Sequence, residues 1–338
     1  MLNRRLLIAA AVASALVTPS FAQSDTVTIA LDWTPNTNHI GLYVAEAQGF
    51  FAEEGLTVEI LPYSDTSAST LVANRVADFG ILGSLSLFLQ RTAGADLVAT
   101  YALVQTETGR LVFNADRSDI QTPRDLDGLT YGGFGSAWEN ALIETIIRHV
   151  GGTGQFETVT LGTSAYEALA NGAVDFTLEV YTWEGVKAEL DGVPQRAFRY
   201  ADYGVPDQHT NFIGSSQAYL DANPETASAF IQAVQRGYAF AVANPDEATD
   251  ILLAANSDSL TDRAFVRASL QALIDGHYLQ GSDGAVGTIQ AEKIEAIGDY
   301  LMAAEILRDG DGKVLADRPD FSSYYSNQYL SETGATAQ

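Results

Sequence analysis

A repeating order of strand, loop and helix constrains this chain more than any other feature. Residues 26–32 (TVTIALD) alternate and are β-branched, residues 35–38 interrupt, and residues 40–49 carry helical spacing that ends on glycine. Phe50-Phe51 and an acidic turn ending at Gly55 lead to a second alternating run, residues 56–61. The three pieces form a β-α-β unit, whose parallel strands belong in a sheet covered by helices, so the fold class is α/β. The order recurs with a helix at 66–74, a short buried strand at 79–82, a helix at 85–92, and strands at 97–104 and 111–113.

A second cycle starts at the helix-start signal Thr122-Pro123-Arg124-Asp125-Leu126. It continues with a strand at 129–132, the glycine-rich loop 132–136 (GGFGS), a helix at 137–150, a strand near 157–161, a helix near 166–171 and an apolar strand at 174–180. From Asn223-Pro224 onward the periodicity is helical, over 224–243, 245–254, 261–273 and 289–302, with caps expected from Asn223, Asn244 and Ser259. Residues 321–330 are aromatic and polar and read as a packed terminal segment. With no repeat and no long linker, this is a chain that leaves one α/β lobe, builds a second and returns. Residues 23–115 and 216–338 are assigned to lobe 1 and 116–215 to lobe 2, with crossings near 113–118 and 211–215.

The charge balance removes several functions. With 43 Asp+Glu against 18 Lys+Arg, a formal charge of −25, the chain has no basic patch for nucleic acid or an anionic membrane. The absence of cysteine excludes a thiolate nucleophile, a cysteine-ligated metal and disulfides. Residues 1–22 read as a secretory signal peptide: Arg4 and Arg5, an apolar stretch over 6–17, and Ser20-Phe21-Ala22 as the cleavage site. Asn3-Arg4-Arg5-Leu6-Leu7 matches the twin-arginine pattern only loosely, and paired basic residues are ordinary in general secretory signals. Without a cysteine at position 23, no lipid anchor is expected, and no later apolar run reaches the length of a membrane span.

Three segments carry recognition chemistry. Residues 32–39 (DWTPNTNH) end the first strand, and the carboxyl ends of parallel strands face the ligand crevice of open α/β sheets; a polar turn around one buried Trp is the other reading. Residues 132–136 followed by a helix offer free backbone N–H groups to an anion or carbonyl, or form a plain turn. Residues 179–184 (EVYTWE) close an apolar strand; alternation would put Glu179, Tyr181 and Trp183 on one face, a set able to stack on a flat heterocycle and accept from its amine. A solvated strand end is the alternative. His39, His149, His209 and His277 show no zinc spacing, and neither Gly83-Ser84 nor Gly214-Ser215 has the surroundings of a nucleophile elbow. No catalytic residue, metal or cofactor is expected.

The run from Leu31 to His39, then Gly41-Leu42-Tyr43-Val44-Ala45 and Gly49-Phe50-Phe51, resembles the start of the thiamine-pyrimidine-precursor family of periplasmic binding proteins. Tyr131-Gly132-Gly133-Phe134-Gly135-Ser136, Trp183-Glu184-Gly185 and Asp202-Tyr203-Gly204-Val205-Pro206-Asp207 extend the likeness over nearly the whole chain beyond the leader. The resemblance implies a type II periplasmic-binding-protein fold, two α/β lobes joined by hinge strands, in an exported, monomeric component of an ABC importer. The implied ligand is N-formyl-4-amino-5-aminomethyl-2-methylpyrimidine or a close analogue, passed to an inner-membrane permease. It implies ligand contacts from Asp32, Trp33, Asn38, Tyr43 and Ser84 in the first lobe, and from Gly133, Phe134, Gly135, Ser136, Glu179, Tyr181, Trp183 and Glu184 in the second. Trp33, Tyr43, Tyr181 and Trp183 would stack, Glu179 or Glu184 would accept from the amine, and Asn38 and the glycine-loop amides would meet the formyl carbonyl or a ring nitrogen. A riboflavin-binding branch keeps that heterocycle as an alternative ligand. A branch of pyrimidine synthases uses a cysteine-rich iron motif, which a cysteine-free chain with an export signal lacks. More remote relatives bind nitrate, sulfonates or bicarbonate, for which four aromatic rings are more than is needed.

Overall fold

The computed structural model describes residues 25–281 and 284–331. The expected signal segment lies outside the described residues. Among the described residues, ten strands form two sheets: β1 (Asp25–Ala30), β2 (Leu56–Leu61), β3 (Phe79–Gly83), β4 (Leu97–Ala102), β5 (Gly109–Asn114), β6 (Thr130–Gly133), β7 (Glu157–Thr160), β8 (Phe176–Val180), β9 (Gln195–Arg199) and β10 (Asn211–Ser216). The first has the order β2-β1-β3-β10-β4 and the second β7-β6-β8-β5-β9. In each, the strand in fourth place is antiparallel to its neighbours and inserted between them: β10 pairs antiparallel with β3 and β4, and β5 with β8 and β9. The two lobes therefore repeat one plan, and each inserted strand is the one that arrives from the other lobe.

This exchange corrects the expected crossings. β5 already belongs to the second sheet and β10 to the first, so membership changes between Ala102 and Gly109 and again between Arg199 and Asn211. Hydrophobic alternation marks a strand but carries no information about which sheet it joins, so the expected boundaries fell inside or after the inserted strands.

The helix Ile40–Ala47 crosses the long helix Pro224–Ala243 at a glycine contact, where a Cβ on Gly237 would stand 2.1 Å from the Gly41 carbonyl oxygen. Their apolar faces fill one side of the first sheet with Val27, Ile29, Phe79 and Phe230. The helices Ser84–Thr92 and Ala291–Ala303 cover the other side, and the terminal segment joins them through Phe321 and Tyr324, each ring 5.3 Å from that of Phe88. The helix Ala137–His149 covers the second sheet with Leu142, Ile143, Ile146 and Ile147. Asn223 and Asn244 precede helices as expected, but their side-chain amides donate backwards, to the carbonyls of Tyr219 and Phe240, sealing the preceding helix instead of capping the next. The third cap is Asp262, which accepts from the Phe265 N–H at 3.0 Å, rather than Ser259.

The crossing segments are tied to each other. Asp207 Oδ1 accepts from the Glu107 N–H at 2.9 Å and from the Thr106 hydroxyl, and Gln208 donates to Glu107 Oε2 at 2.6 Å. Lys293 meets Asp207 at 2.7 Å and donates to the Gln105 carbonyl at 2.6 Å. His209 is buried among them, accepting the Gln290 N–H on Nε2 at 2.9 Å. Burial, with Lys293 nearby, pushes its pKa from 6.5 down to about 4. Between those values the unfolded chain binds a proton that the folded one refuses, so stability is complete above pH 6.5 and falls as pH drops. His209→Asn removes this dependence: the stability of the natural chain relative to the variant is expected to fall by about 1.5 kcal/mol from pH 6.5 to pH 5. Denaturant melts across that window measure it, and parallel pH profiles would refute it.

Candidate functional site

A cleft of about 440 Å³ lies between the sheets and is lined from both lobes. Strand carboxyl ends build it: the loop after β1 brings Asp32, Trp33, Asn36 and Asn38, the end of β3 brings Gly83 to Ser86, and in the second lobe β6 and β8 bring Gly133, Phe134, Glu179 and Val180. The crossings supply Glu107, Gly109, Gln208 and Asn211.

The loop after β1 is held by its own side chains. Asn36 accepts the Asn38 N–H at 2.9 Å and donates to the Thr34 carbonyl at 3.0 Å, setting a short helical turn. Asp32 is held on both oxygens, by His39 Nε2 at 2.9 Å and by the Asn211 amide at 2.7 Å. The Tyr238 hydroxyl donates to the Asn38 carbonyl at 2.6 Å. Trp33 leans on Tyr63, ring centres 5.1 Å apart, which leaves its other surfaces to the cleft.

In the second lobe, β8 stops at Val180 and the chain makes one π-helical turn, Tyr181–Gly185. That turn, not strand alternation, decides where the EVYTWE side chains go. Glu179, Trp183 and Glu184 reach the cleft; Tyr181 turns away, its ring 4.3 Å beneath the Arg110 guanidinium. Arg110 stands opposite Glu179 on β5 and donates to Glu179 Oε1 through Nε at 2.7 Å and through its terminal nitrogen. Burial pushes the Glu179 carboxyl up while Arg110 pulls it back. Glu184 accepts the Val180 N–H at 3.2 Å and is likewise raised, chiefly by burial. Glu107 is raised by burial against the hydrogen bonds it receives from Gly109 and Gln208.

The lining thus includes five carboxylates, Asp32, Glu107, Glu139, Glu179 and Glu184, with no Lys or Arg among the described lining residues. The walls are aromatic: Trp33, Phe134, Trp138, Tyr166 and Trp183. The Ser84 hydroxyl, 5% exposed, has no hydrogen-bond partner. Such a site accepts N–H donors on a flat apolar body and keeps one hydroxyl for an acceptor atom.

Of the thirteen expected contact residues, Asp32, Trp33, Asn38, Ser84, Gly133, Phe134, Glu179, Trp183 and Glu184 line the cleft. Tyr43, Gly135, Ser136 and Tyr181 do not. Tyr43 lies half-buried against the first-lobe core, because the helix turns it away from the β1 loop. Gly135 has φ +73° and serves the turn, where a Cβ would meet Thr160 Oγ1 at 2.5 Å; Ser136 caps the following helix. The sequence patterns did not single out Glu107, Trp138, Glu139, Tyr166, Gln208 or Asn211. Only Glu139 had a local signal, the S-x-x-E capping box begun at Ser136.

The lobes also touch beside the cleft. Thr37 and Ser269 share a hydrogen bond of 2.6 Å, and Ser269 donates on to the Thr182 carbonyl. The Trp183 ring centre is 4.4 Å from that of Phe265, and Trp138 meets Tyr300 edge-on at 6.1 Å.

The chain is 30% identical over 291 residues to the formylaminopyrimidine-binding protein of Halalkalibacterium halodurans, covering 84% of this chain and 86% of that one. It is 28% identical over 296 residues to the riboflavin-binding protein RibY of Chloroflexus aurantiacus, covering 83% and 82%. Relatives of lower identity are named 4-amino-5-hydroxymethyl-2-methylpyrimidine phosphate synthases. Among solved structures, the alkanesulfonate-binding protein SsuA of Xanthomonas axonopodis pv. citri bound to MOPS superposes with a TM-score of 0.66 at 17% identity, covering 90% of this chain and 99% of that one. The fold is the two-lobed fold of periplasmic binding proteins, and no helix among the described residues is long and apolar enough to cross a membrane. Residues 36–248 match the sequence model of the NMT1/THI5 like family, and the chain belongs to that family.

Proposed function

We propose that this chain is the exported, non-catalytic receptor of an ABC importer, acts as a monomer, and closes its lobes on an aminopyrimidine such as N-formyl-4-amino-5-aminomethyl-2-methylpyrimidine. One observation carries the reading: an aromatic-walled cleft whose described lining holds five carboxylates and no Lys or Arg, the one cation beside them being Arg110, which pairs with Glu179 from outside the lining. An exocyclic amine finds acceptors there and a sulfonate finds repulsion. The name of the Halalkalibacterium relative supports the same ligand class. Contacts from both lobes exist only when the cleft is shut, so ligand stabilises the closed arrangement and presents it to a membrane permease. Trp33 and Trp183 stack on the ring, and Glu179 or Glu184 accepts from the amine.

Calorimetric titration with the formylaminopyrimidine, riboflavin and methanesulfonate tests this. The pyrimidine is expected to bind most tightly and to be recovered unchanged after denaturation. Tighter riboflavin binding would move the ligand to the isoalloxazine class of the RibY relative, and a converted product would reject the receptor reading.

Ser84→Ala separates binding from folding. The hydroxyl is buried without a partner, so its removal costs the unliganded fold nothing or stabilises it. If the hydroxyl serves a ligand acceptor, pyrimidine affinity falls about tenfold, equivalent to about 1.4 kcal/mol. Melting and titration of the same sample read both, and unchanged affinity would remove Ser84 from the site.

A further inference from the structure

The loop 132–136 offers amides to a ligand acceptor when read as sequence alone, yet in the folded chain two of those donors, the Phe134 and Ser136 N–H groups, are already occupied. Glu139, in the first turn of the helix Ala137–His149, folds back into the loop. Its Oε1 accepts the Phe134 N–H at 3.1 Å and the Tyr131 hydroxyl at 2.8 Å, and its Oε2 accepts the Ser136 N–H at 2.7 Å. The side chain is 5% exposed and belongs to the cleft wall. A helix N-terminus with converging N–H groups is where an anionic ligand group would sit. Here a carboxylate from the chain itself sits in that place.

We propose that Glu139 sets the charge selectivity of the cleft: its carboxylate fills the amide cradle after β6 from within, so that sulfonate, phosphate and carboxylate groups are refused and neutral or cationic heterocycles are admitted. Two contrasts within the chain support this. The second capping box, Thr122 with Asp125, repeats the bond from the cap N–H to the carboxylate three residues on, at an exposed turn away from the cleft, so that bond itself does not require a ligand-facing position. In the first lobe the helix Ser84–Thr92 also starts at the cleft, but Gly83 gives it no side-chain cap and the buried Ser84 hydroxyl lacks a partner. One helix end therefore carries a carboxylate, while the other has its Ser84 N–H on the Thr210 carbonyl at 3.0 Å, no side-chain cap and a spare hydroxyl, which orients a ligand with its donors toward the second lobe and its acceptor toward Ser84.

The inference rests on reading the cleft as the binding site, and the test keeps the two apart by using two probes, methanesulfonate and the formylaminopyrimidine. Glu139→Ala empties the cradle and is expected to raise methanesulfonate affinity at least tenfold over the natural chain. Glu139→Asp keeps a carboxylate at the position Asp125 occupies in the other box and should show no such gain. Thermal melts report folding; if the alanine variant does not fold, Glu139→Gln, neutral and of the same shape, carries the test with an expected gain of about threefold. Folded variants that bind methanesulfonate no better than the natural chain overturn the role of Glu139, as does a natural chain that already binds it equally well. Failure of the natural chain to bind the pyrimidine counts against the receptor reading alone and leaves the methanesulfonate comparison intact.

Discussion

Replacing Trp183 by alanine is expected to weaken binding of the aminopyrimidine about a hundredfold, equivalent to about 2.7 kcal/mol. The residue has two parts to play. Its ring forms a wall of the cleft, and it also reaches the first lobe, lying 4.4 Å from the Phe265 ring. Truncation removes a stacking surface from the ligand and an aromatic contact, itself worth about 1 kcal/mol, from the closed arrangement. Trp183→Phe keeps most of both and should lose tenfold or less. Calorimetry on the two variants decides: near-natural affinity for the alanine form would mean that the wall does not touch the ligand.

Arg110→Ala is expected to cost about 3 kcal/mol of stability at pH 7. Glu179 is 1% exposed and Arg110 22%, so deletion of the cation leaves a carboxylate buried without its partner. The value is placed at the low end for a buried pair because the guanidinium keeps some water. Burial already raises Glu179, and loss of Arg110 raises it further. A carboxyl whose folded pKa is raised contributes stability below its unfolded value of 4.5 and loses it as pH climbs through the folded value. The gap between variant and natural chain should therefore be widest at pH 7 and narrow toward pH 4.5. Arg110→Met combined with Glu179→Gln removes both charges and should recover most of the loss. A gap that stays constant with pH would show that the stability came from the Arg110 stem packed on Tyr181 and not from the ion pair.

The sequence made the first lobe legible because its signals are local. Alternation at 26–32, the glycine after the first helix, and Pro224 and Pro245 at helix starts each act within a few residues, and β1, the helix Ile40–Ala47 and the two late helices lie where those signals put them. The β1 loop was legible for the same reason, since strand carboxyl ends face the crevice in this class of sheet. What failed depended on distant partners. Tyr181 was misdirected because β8 gives way to a π-helical turn, whose 5-residue closure alternation does not encode. The Arg110–Glu179 pair depends on the register between β5 and β8, 69 residues apart in sequence. The crossings were displaced because β5 and β10 each hydrogen-bond into the sheet opposite the one they leave. Glu139 is the intermediate case: its capping box is written locally, but that it would consume the loop amides expected for the ligand follows only from the folded distances.

The most direct test is a crystal structure of the chain with the formylaminopyrimidine bound. The expected result is a ring held in the cleft against Trp33 or Trp183, with its amine within hydrogen-bond distance of Glu179 or Glu184 and an acceptor at Ser84. A pyrimidine seated anywhere outside this cleft, or inside it with no aromatic face and no carboxylate upon it, would contradict the account.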